Sequence, residues 1–447
     1  MSAARRARRA LLATGALLAA AGLANAQGQD VDTLSDPDEG QYPLLLDGTL
    51  SGGGDLKEGD SPHSGLFRFP TLLEPWEAFK GRVRESTGIS FGGSWGVLYQ
   101  NYSDIPSFNP DAARDSVGQK FTLNFSRDML RRGTPEALAF DLVVEDRGPI
   151  GTDNPPLQAG LAAGSIVPTA ATWGDFNLGI TQAYVRQNLM GNKVQYTVGK
   201  IFAPNFINAY PFFDDNRQFL NQAFSTSPTI ASPLRGFGAV ATVYPTENNL
   251  YVLGGIYSAN SSDTGFTLDE VFDTGELFYQ LEVGWSALAR SGVPVQARGP
   301  MDSNNVHLTG WYKDSQPDQS NATLRPQARG LAFNANWKVG DNLMWFLRAG
   351  ASEGWVNDRS VSAGFGWRPD AEFSDLFGFG IGWVRPNTEI VTVEAFQREQ
   401  WNVETFYRFH ITPNLAITPD IQYISNPSLN PEVDSLWVGS LRARITF

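Results

Sequence analysis

The sequence has no cysteine and only three histidines, His63, His307 and His410. The missing cysteine excludes a disulfide framework and zinc–thiolate sites. The histidines lie in the leader and in two predicted strands, with no G-x-S-x-G context around them that would place a nucleophile beside a base. We therefore expect neither an enzyme nor a bound metal or cofactor.

Long apolar runs are missing after residue 26. Residues 1–26 contain four early arginines, an apolar run over residues 10–24 and the small-x-small site Ala24-Asn25-Ala26. This pattern predicts a secretory signal peptide. No later stretch approaches the eighteen or so uninterrupted apolar residues of a membrane-spanning helix. If the mature chain enters a membrane, it must cross as strands.

Positive charge is scarce, with 34 Lys and Arg against 47 Asp and Glu and a formal charge of −13. Removing the four arginines of residues 1–26, a segment without acids, leaves −17. This balance argues against nucleic acid as a partner and against a basic, anion-selective pore. The chain is instead rich in glycine and aromatic residues, with a mean hydropathy of −0.24. A large barrel with every second strand residue apolar would have such a value, and so would soluble β domains.

The C-terminal residues show the clearest strand pattern. Apolar and polar residues alternate in NVETFYRFHI (402–411), where only Phe406 breaks the alternation. LAITPDIQYI (415–424) and LWVGSLRARITF (436–447) repeat the pattern, and we expect a local bulge at Pro419. The alternation is typical of a soluble sheet with one wet face, and equally of a membrane barrel with lipid outside and a polar lumen.

The lengths of the connections distinguish these two folds. Short turns at 131–136, 190–192, 245–248, 339–342 and 412–414 alternate with long loops at 103–116, 147–179, 202–234, 259–275, 314–328, 386–401 and 425–435. Outer-membrane barrels sort their connections in this way, and soluble sandwiches have no reason to. We therefore predict an all-β transmembrane antiparallel β-barrel of about sixteen strands over 88–447, in the outer membrane of a Gram-negative bacterium.

A leader over residues 27–87 precedes the predicted barrel. Its first part is rich in Asp, Gly, Pro and Ser, and we expect it to be extended or poorly ordered in the periplasm. From Thr71 to Thr87 the apolar residues follow a helical spacing. This predicts a short amphipathic helix that ends before Gly88 and packs on the periplasmic rim.

Several motifs resemble the carbohydrate-selective porin family of the OprB type. They are ETFYRFHITPNLAITPDIQYISNP (404–427), the closing LWVGSLRARITF, and the pair QAYVRQNL (182–189) and VQYTVGKIF (194–202). Before the first strand, EPWEAFKGRV (74–83) keeps only part of the usual family run. The resemblance implies passive diffusion of mono- and small oligosaccharides into the periplasm. A polysaccharide-export barrel and a general small-solute channel are the alternatives.

The loop 202–234 is the candidate selectivity element. Its six phenylalanines would be costly in water, so we expect the loop to fold into the barrel mouth. Sugars offer hydroxyls and flat C–H faces, which polar side chains and aromatic rings bind weakly. The candidate contacts are Asn205, Tyr210, Asp214, Asp215, Arg217 and Gln218 in the loop, with Glu282, Lys313 and Arg348 in the lumen.

Other interpretations of these residues stay open. Each polar loop residue could instead bond within the loop. The adjacent pair Asp214 and Asp215 could form a calcium site or an acid/base pair, although no ligand spacing surrounds it. The expected partners are carbohydrates in transit and outer-membrane lipid, and the chain could be a monomer or a homotrimer.

Overall fold

A computed structural model describes residues 74–447, except 133, 135, 261, 267–274, 288–303, 317–325 and 370–374. The predicted signal peptide and the first part of the leader lie outside the described residues. No helix in the described part of the chain is long and apolar enough to cross a bilayer.

Sixteen antiparallel strands form one closed barrel in which each strand pairs with its neighbours in sequence and β1 pairs with β16. The predicted fold and strand number are confirmed. The strands are β1 Ile89–Tyr102, β2 Asp115–Leu130, β3 Leu138–Pro149, β4 Phe176–Leu189, β5 Val194–Phe202, β6 Arg235–Val243, β7 Leu250–Ser258, β8 Leu277–Ser286, β9 Asn305–Lys313, β10 Ala328–Val339, β11 Leu343–Glu353, β12 Asn357–Trp367, β13 Leu376–Pro386, β14 Gln400–Thr412, β15 Leu415–Ser425 and β16 Ser435–Thr446.

The two faces of the sheet meet opposite environments. Outward-facing Leu281 and Leu331 are 58% and 55% exposed, whereas inward-facing Asn334 and Glu404 are fully buried. Phe121, Phe333, Phe379 and Tyr407 are half-buried and lie on four different strands, so they do not share a dry interior. Exposed apolar and buried polar side chains reverse the usual order of a soluble domain and suit hydrocarbon outside the barrel.

Outward-facing aromatic residues form two bands. The band near the long loops, the loop end, contains Tyr99, Tyr279, Tyr312, Trp383, Trp401 and Trp437. The band near the short turns, the turn end, contains Trp285, Trp337, Trp345, Trp367, Tyr407 and Phe409. Trp401 and Phe409 on β14 are separated by roughly 26 Å of strand at about 3.3 Å per residue. A strand tilt of about 35–45° reduces this spacing to a height of roughly 19–22 Å, which fits within the apolar band of membrane barrels, about 25 Å tall.

The helix α1, Glu74–Thr87, lies at the turn end. Trp76 and Phe79 pack on the outward ring of Phe91, with centroids 5.6 and 6.1 Å away. Gly88, with φ +71, ends the helix, and its N–H donates to the Arg84 carbonyl at 2.8 Å. This left-handed conformation favours glycine and stops the helix directly before β1.

The strand that contains Pro419 has no bulge at that residue. In the β14–β15 ladder, Phe406 pairs with Asp420 and Phe409 pairs with Ile417. The residues between these two pairs do not form ladder pairs, but the register is the same on both sides of them. The expected bulge at Pro419 is therefore wrong, and the register shift lies further on, between His410 and Thr412. Proline has no N–H, so the ladder omits bonds there without an extra residue.

Candidate functional site inside the barrel

The loop 203–234 lies inside the barrel. Almost all of its residues are buried, and only Gln222, Thr226 and Ser227 are half-buried. It begins with a 3-10 turn, Ala203–Asn205, and contains the short helix Gln222–Ser225. Its backbone bonds to inward side chains of β11, β14 and β16, on the far side from β5 and β6, where the loop starts and ends. The loop therefore crosses the interior of the barrel to the opposite wall.

Arg348 on β11 fixes this loop at two places, near Asn208 and near Phe224. Its guanidinium donates to the carbonyls of Phe224 and Thr226 at 3.2 and 2.6 Å, and to the side-chain oxygen of Asn208 at 2.7 Å. It also lies 4.1 Å from the centre of the Tyr210 ring. Charge-assisted hydrogen bonds and a desolvated cation–π contact are each stronger than a neutral bond. Arg348 and Tyr210, both predicted as sugar contacts, thus hold each other.

Glu404 and Arg442 hold the middle of the loop. The Glu404 carboxylate accepts the backbone N–H of Leu220 at 2.6 Å and that of Asn221 at 2.9 Å. Arg442 donates to the Gln218 carbonyl at 3.0 and 3.1 Å. Residues from β14 and β16 therefore satisfy loop backbone groups that would otherwise be buried without partners.

Asp214 and Asp215 have separate partners. Asp214 binds its neighbour Arg217, whereas Asp215 binds Lys120 and accepts the Thr172 N–H at 2.6 Å. Burial alone would raise the pKa of Asp214, but Arg217, Arg444 and the Asn216 N–H together lower it to about 2. Among the described residues no group of three or more histidine or carboxylate side chains could hold a metal ion.

Rings from the loop and from the inner wall form an aromatic core inside the lumen. Phe219 packs edge-on against Phe406 at 5.1 Å and lies 5.6 Å from Phe346. Phe406 is the one apolar residue on the polar side of the alternation in 402–411, and this contact explains it. Gly378 pairs with Phe406 across the ladder, and a Cβ at Gly378 would lie 2.2 Å from the Phe406 ring.

A second connection also folds inward, which the sequence analysis did not predict. Residues 155–174, including the helix α2 (Pro156–Ala162), are buried apart from half-buried Gln158. Its backbone pairs with the first loop, since the Ala171 N–H donates to the Leu220 carbonyl at 2.9 Å. Gln422 on β15 donates to its Thr169 carbonyl at 2.8 Å. The segment 147–179 is therefore an inner layer at its centre and not simply an outer loop.

The remaining predicted site residues have different surroundings. Glu282 on β8 accepts the Tyr251 hydroxyl at 2.8 Å and the Thr309 hydroxyl at 2.6 Å, and the Asn208 amide donates to Thr309 at 3.2 Å. Lys313 is buried at the loop end of β9. The structure therefore brings Glu282 into the hydrogen-bond network of Asn208 and Arg348, and it does not bring the side chains of Asn205 and Gln218 into that network.

Three amide side chains in the loop have no hydrogen-bond partner in the described structure. They belong to Asn205, Asn216 and Gln218, and both polar atoms of each are buried. A buried amide without a partner is costly, so such groups normally bind water or a solute. Their unused donors and acceptors are therefore suited to bind water held within the loop.

The water-facing edge of the loop is the half-buried set Gln222, Thr226 and Ser227. Behind it, a cavity of about 20 Å³, which is about one water in size, lies between Asn208, Ser225 and Arg348. The inner wall contributes charges of both signs, among them Lys120, Arg147, Asp141 and Glu145. A lumen with balanced charge, amides and hydroxyls suits polar uncharged solutes better than ions of one sign.

The sequence profile of the carbohydrate-selective porin family, OprB, matches residues 114–447. The putative porin QuiX of Acinetobacter baylyi is 26% identical over 213 residues, 44% of this chain and 40% of that protein. Porin AaxA of Chlamydia pneumoniae is 22% identical over 310 residues, 64% of each chain. The chain thus spans less than two thirds of the length of these curated relatives.

Among solved structures, OprB of Pseudomonas putida has a similar fold. The TM-score is 0.65 at 19% identity, and the match covers 83% of this chain and 97% of that one. At this identity the likeness concerns the barrel architecture.

Proposed function

This chain belongs to the carbohydrate-selective porins of the OprB family, and from that premise we propose that it is an outer-membrane channel for uncharged sugars. Mono- and small oligosaccharides would diffuse through it passively into the periplasm of a Gram-negative bacterium. The observation that carries the proposal is the loop 203–234, which narrows a polar lumen and keeps a hydroxyl- and amide-bearing edge in water. A sixteen-strand barrel without such an element would be a wide aqueous pore.

The charged candidates act mainly by positioning the loop. Asp214, Asp215, Arg217 and Arg348 each bind loop or wall groups at hydrogen-bond distance. Their role in this proposal is to fix the width of the channel. A fixed width matters because a solute must touch the polar edge of the loop to be selected by it. If the constriction moved by a few ångströms, solutes would pass without this contact and only their size would matter.

Direct sugar contacts are assigned to the uncharged residues. Gln222, Thr226 and Ser227 offer donors and acceptors at the water-facing edge, and Asn205 and Gln218 have amide atoms without protein partners. Hydrogen bonds of this kind replace part of the hydration shell of a sugar and break again readily. Weak exchange is what a diffusive channel requires.

The decisive experiment is sugar entry into liposomes that contain the purified protein. We expect glucose and a disaccharide each to enter faster than a charged solute of matched size. In planar bilayers, we expect added sugar to reduce the ion conductance of the channel. The variant S227W should slow sugar entry because its indole projects from the water-facing edge. T134W, on an exposed turn at the other end, is the matched control.

Three results would contradict the proposal. The first is the absence of open-channel conductance. The second is an open channel that discriminates solutes by size alone, which would favour a general small-solute pore. The third is equal sugar entry through the wild type and S227W, which would remove the loop edge from the pathway.

A further inference from the structure

A groove of about 510 Å³ opens on the outward wall of the barrel, over β9 to β12 near the loop end. Leu331 on β10 pairs with Gly310 on one side and Ala351 on the other. Small residues on both sides of a leucine leave the wall recessed there. The floor of the groove is therefore apolar and faces away from the lumen.

Charged residues line the loop-end margin of the groove. Arg329 lies opposite Tyr312 and Glu353, and Arg359 lies opposite Ala351. The Arg329–Glu353 ion pair, at 2.7 Å, has side chains that are 66% and 73% exposed. Arg359 is exposed as well, and its guanidinium donates to the Asp358 carbonyl at 3.4 Å. The margin thus has two cations and one anion, an excess of positive charge on an acidic protein.

The height of this margin indicates what covers the groove. Tyr312 belongs to the outward aromatic band at the loop end, where headgroups and acyl chains of a bilayer meet. Arginines just beyond such a band meet lipid phosphates, which a guanidinium binds through paired hydrogen bonds. An apolar recess bounded by Arg329 at the loop end and by Arg359 on the β12 side is complementary to a lipid with an anionic headgroup and an acyl chain.

We propose that this groove is a binding site for a phosphate-bearing membrane lipid. One acyl chain lies across Gly310 and Ala351, and a phosphate lies between the guanidinium groups of Arg329 and Arg359. The inference requires the barrel to be in a membrane but is independent of the solute in the lumen. The alternative occupant, a second copy of this chain, is an outcome of the test.

The experiment titrates the delipidated full-length protein in detergent with lipid A, which has two phosphates and several acyl chains, and counts bound lipids by native mass spectrometry. The variant R329Q/R359Q removes both charge-assisted bonds and should weaken binding by at least about tenfold, which corresponds to about 1.4 kcal/mol. R127Q removes an exposed outward arginine at the turn end and should bind as the wild type does.

A second variant tests the apolar floor without changing charge. A Cβ at Gly310 would meet the Leu331 side chain at 3.5 Å and the Leu281 carbonyl at 3.9 Å, which are ordinary contacts. We therefore expect G310V to fold and to weaken lipid A binding by occupying the groove. Phosphatidylglycerol tests whether one phosphate suffices, and inorganic phosphate alone should not displace the lipid.

The proposal would be overturned if R329Q/R359Q bound lipid A as tightly as the wild type, or if R127Q lost as much affinity. It would also be overturned if lipid never bound and the double variant instead dissociated an oligomer, measured by light scattering. Sugar entry should be unchanged in R329Q/R359Q and G310V, so failure of this site and failure of the channel function are distinguishable.

Discussion

The ammonium of Lys120 lies 3.1 Å from a carboxylate oxygen of Asp215, and the two side chains are 2% and 0% exposed. Lys120 comes from the wall strand β2, and Asp215 comes from the loop that crosses the lumen. A charge buried to this degree is stable only beside its partner. This ion pair therefore holds the loop against β2 and contributes to the stability of the folded barrel.

We expect K120M to destabilise the protein more than the double variant K120M/D215N. The single change leaves the Asp215 carboxylate buried without its cation, which typically costs about 3–5 kcal/mol, whereas the double change removes both charges. Urea unfolding in detergent, followed by tryptophan fluorescence, measures the difference. Equal destabilisation by the two variants would show that the pair is not coupled.

R348Q should release the loop near Asn208 and near Phe224, and so widen the channel. It removes four charge-assisted hydrogen bonds to loop oxygens and the contact with Tyr210, each bond contributing about 1.5–3 kcal/mol. We expect larger and noisier single-channel conductance and weaker block by sugar. The control is R186Q, which removes an inward arginine that binds Asp141 on the wall at 2.7 Å. A similar conductance change in R186Q would contradict a specific role for the loop.

The contact between Asp214 and Arg217 in the loop should resist acid down to very low pH. The pKa of Asp214 falls from 3.8 to about 2, so its ion pair with Arg217 stabilises the folded loop above the usual pKa and is lost as pH falls through about 2. The contribution of this ion pair to the conductance of the wild type should stay steady from neutral pH to about 4. D214N should already show a loosened loop at neutral pH and should lose the pH dependence. D341N, at a fully exposed carboxylate, is the control.

G378V should disrupt the aromatic core of the lumen. The new side chain would overlap the Phe406 ring, and overpacking of this kind costs about 1–3 kcal/mol. The double variant G378V/F406A relieves the overlap, so its loss of stability should be smaller than the sum of the two single losses. The heat-dependent mobility shift of the folded barrel on gels provides the measurement. Additive losses would mean that the two residues do not compete for one space.

The wall of the barrel could be predicted from sequence because the polarity of each strand residue indicates whether it faces hydrocarbon or the lumen. Alternation in 402–411 and the sorting of short turns against long loops predicted sixteen strands, and the structure has them. Phe406 and Pro419 depart from this pattern, and each departure has a specific cause. Phe406 faces inward because Phe219 covers it, and Pro419 interrupts pairing without adding a residue.

The interior was harder to predict because its contacts join residues that are distant in sequence. Nothing local in 155–174 indicates burial, since its small alanines and glycines have no strand or helix period. The partnership of Glu404 with Leu220 spans 184 residues. Sequence pattern selected Arg348 and Asp215 as polar residues near the pore, but their partners, and hence their positioning roles, depend on the folded barrel.

The barrel is closed only when β1 pairs with β16. Trp437 and Ser103 meet across this seam from positions 334 residues apart, so this contact carries a large loop-closure entropy and forms late. By then both inner loops must already be within the cylinder or enter it through the loop end. If the loops pack before closure, a variant that delays their packing should accumulate as an open sheet with two unpaired edges.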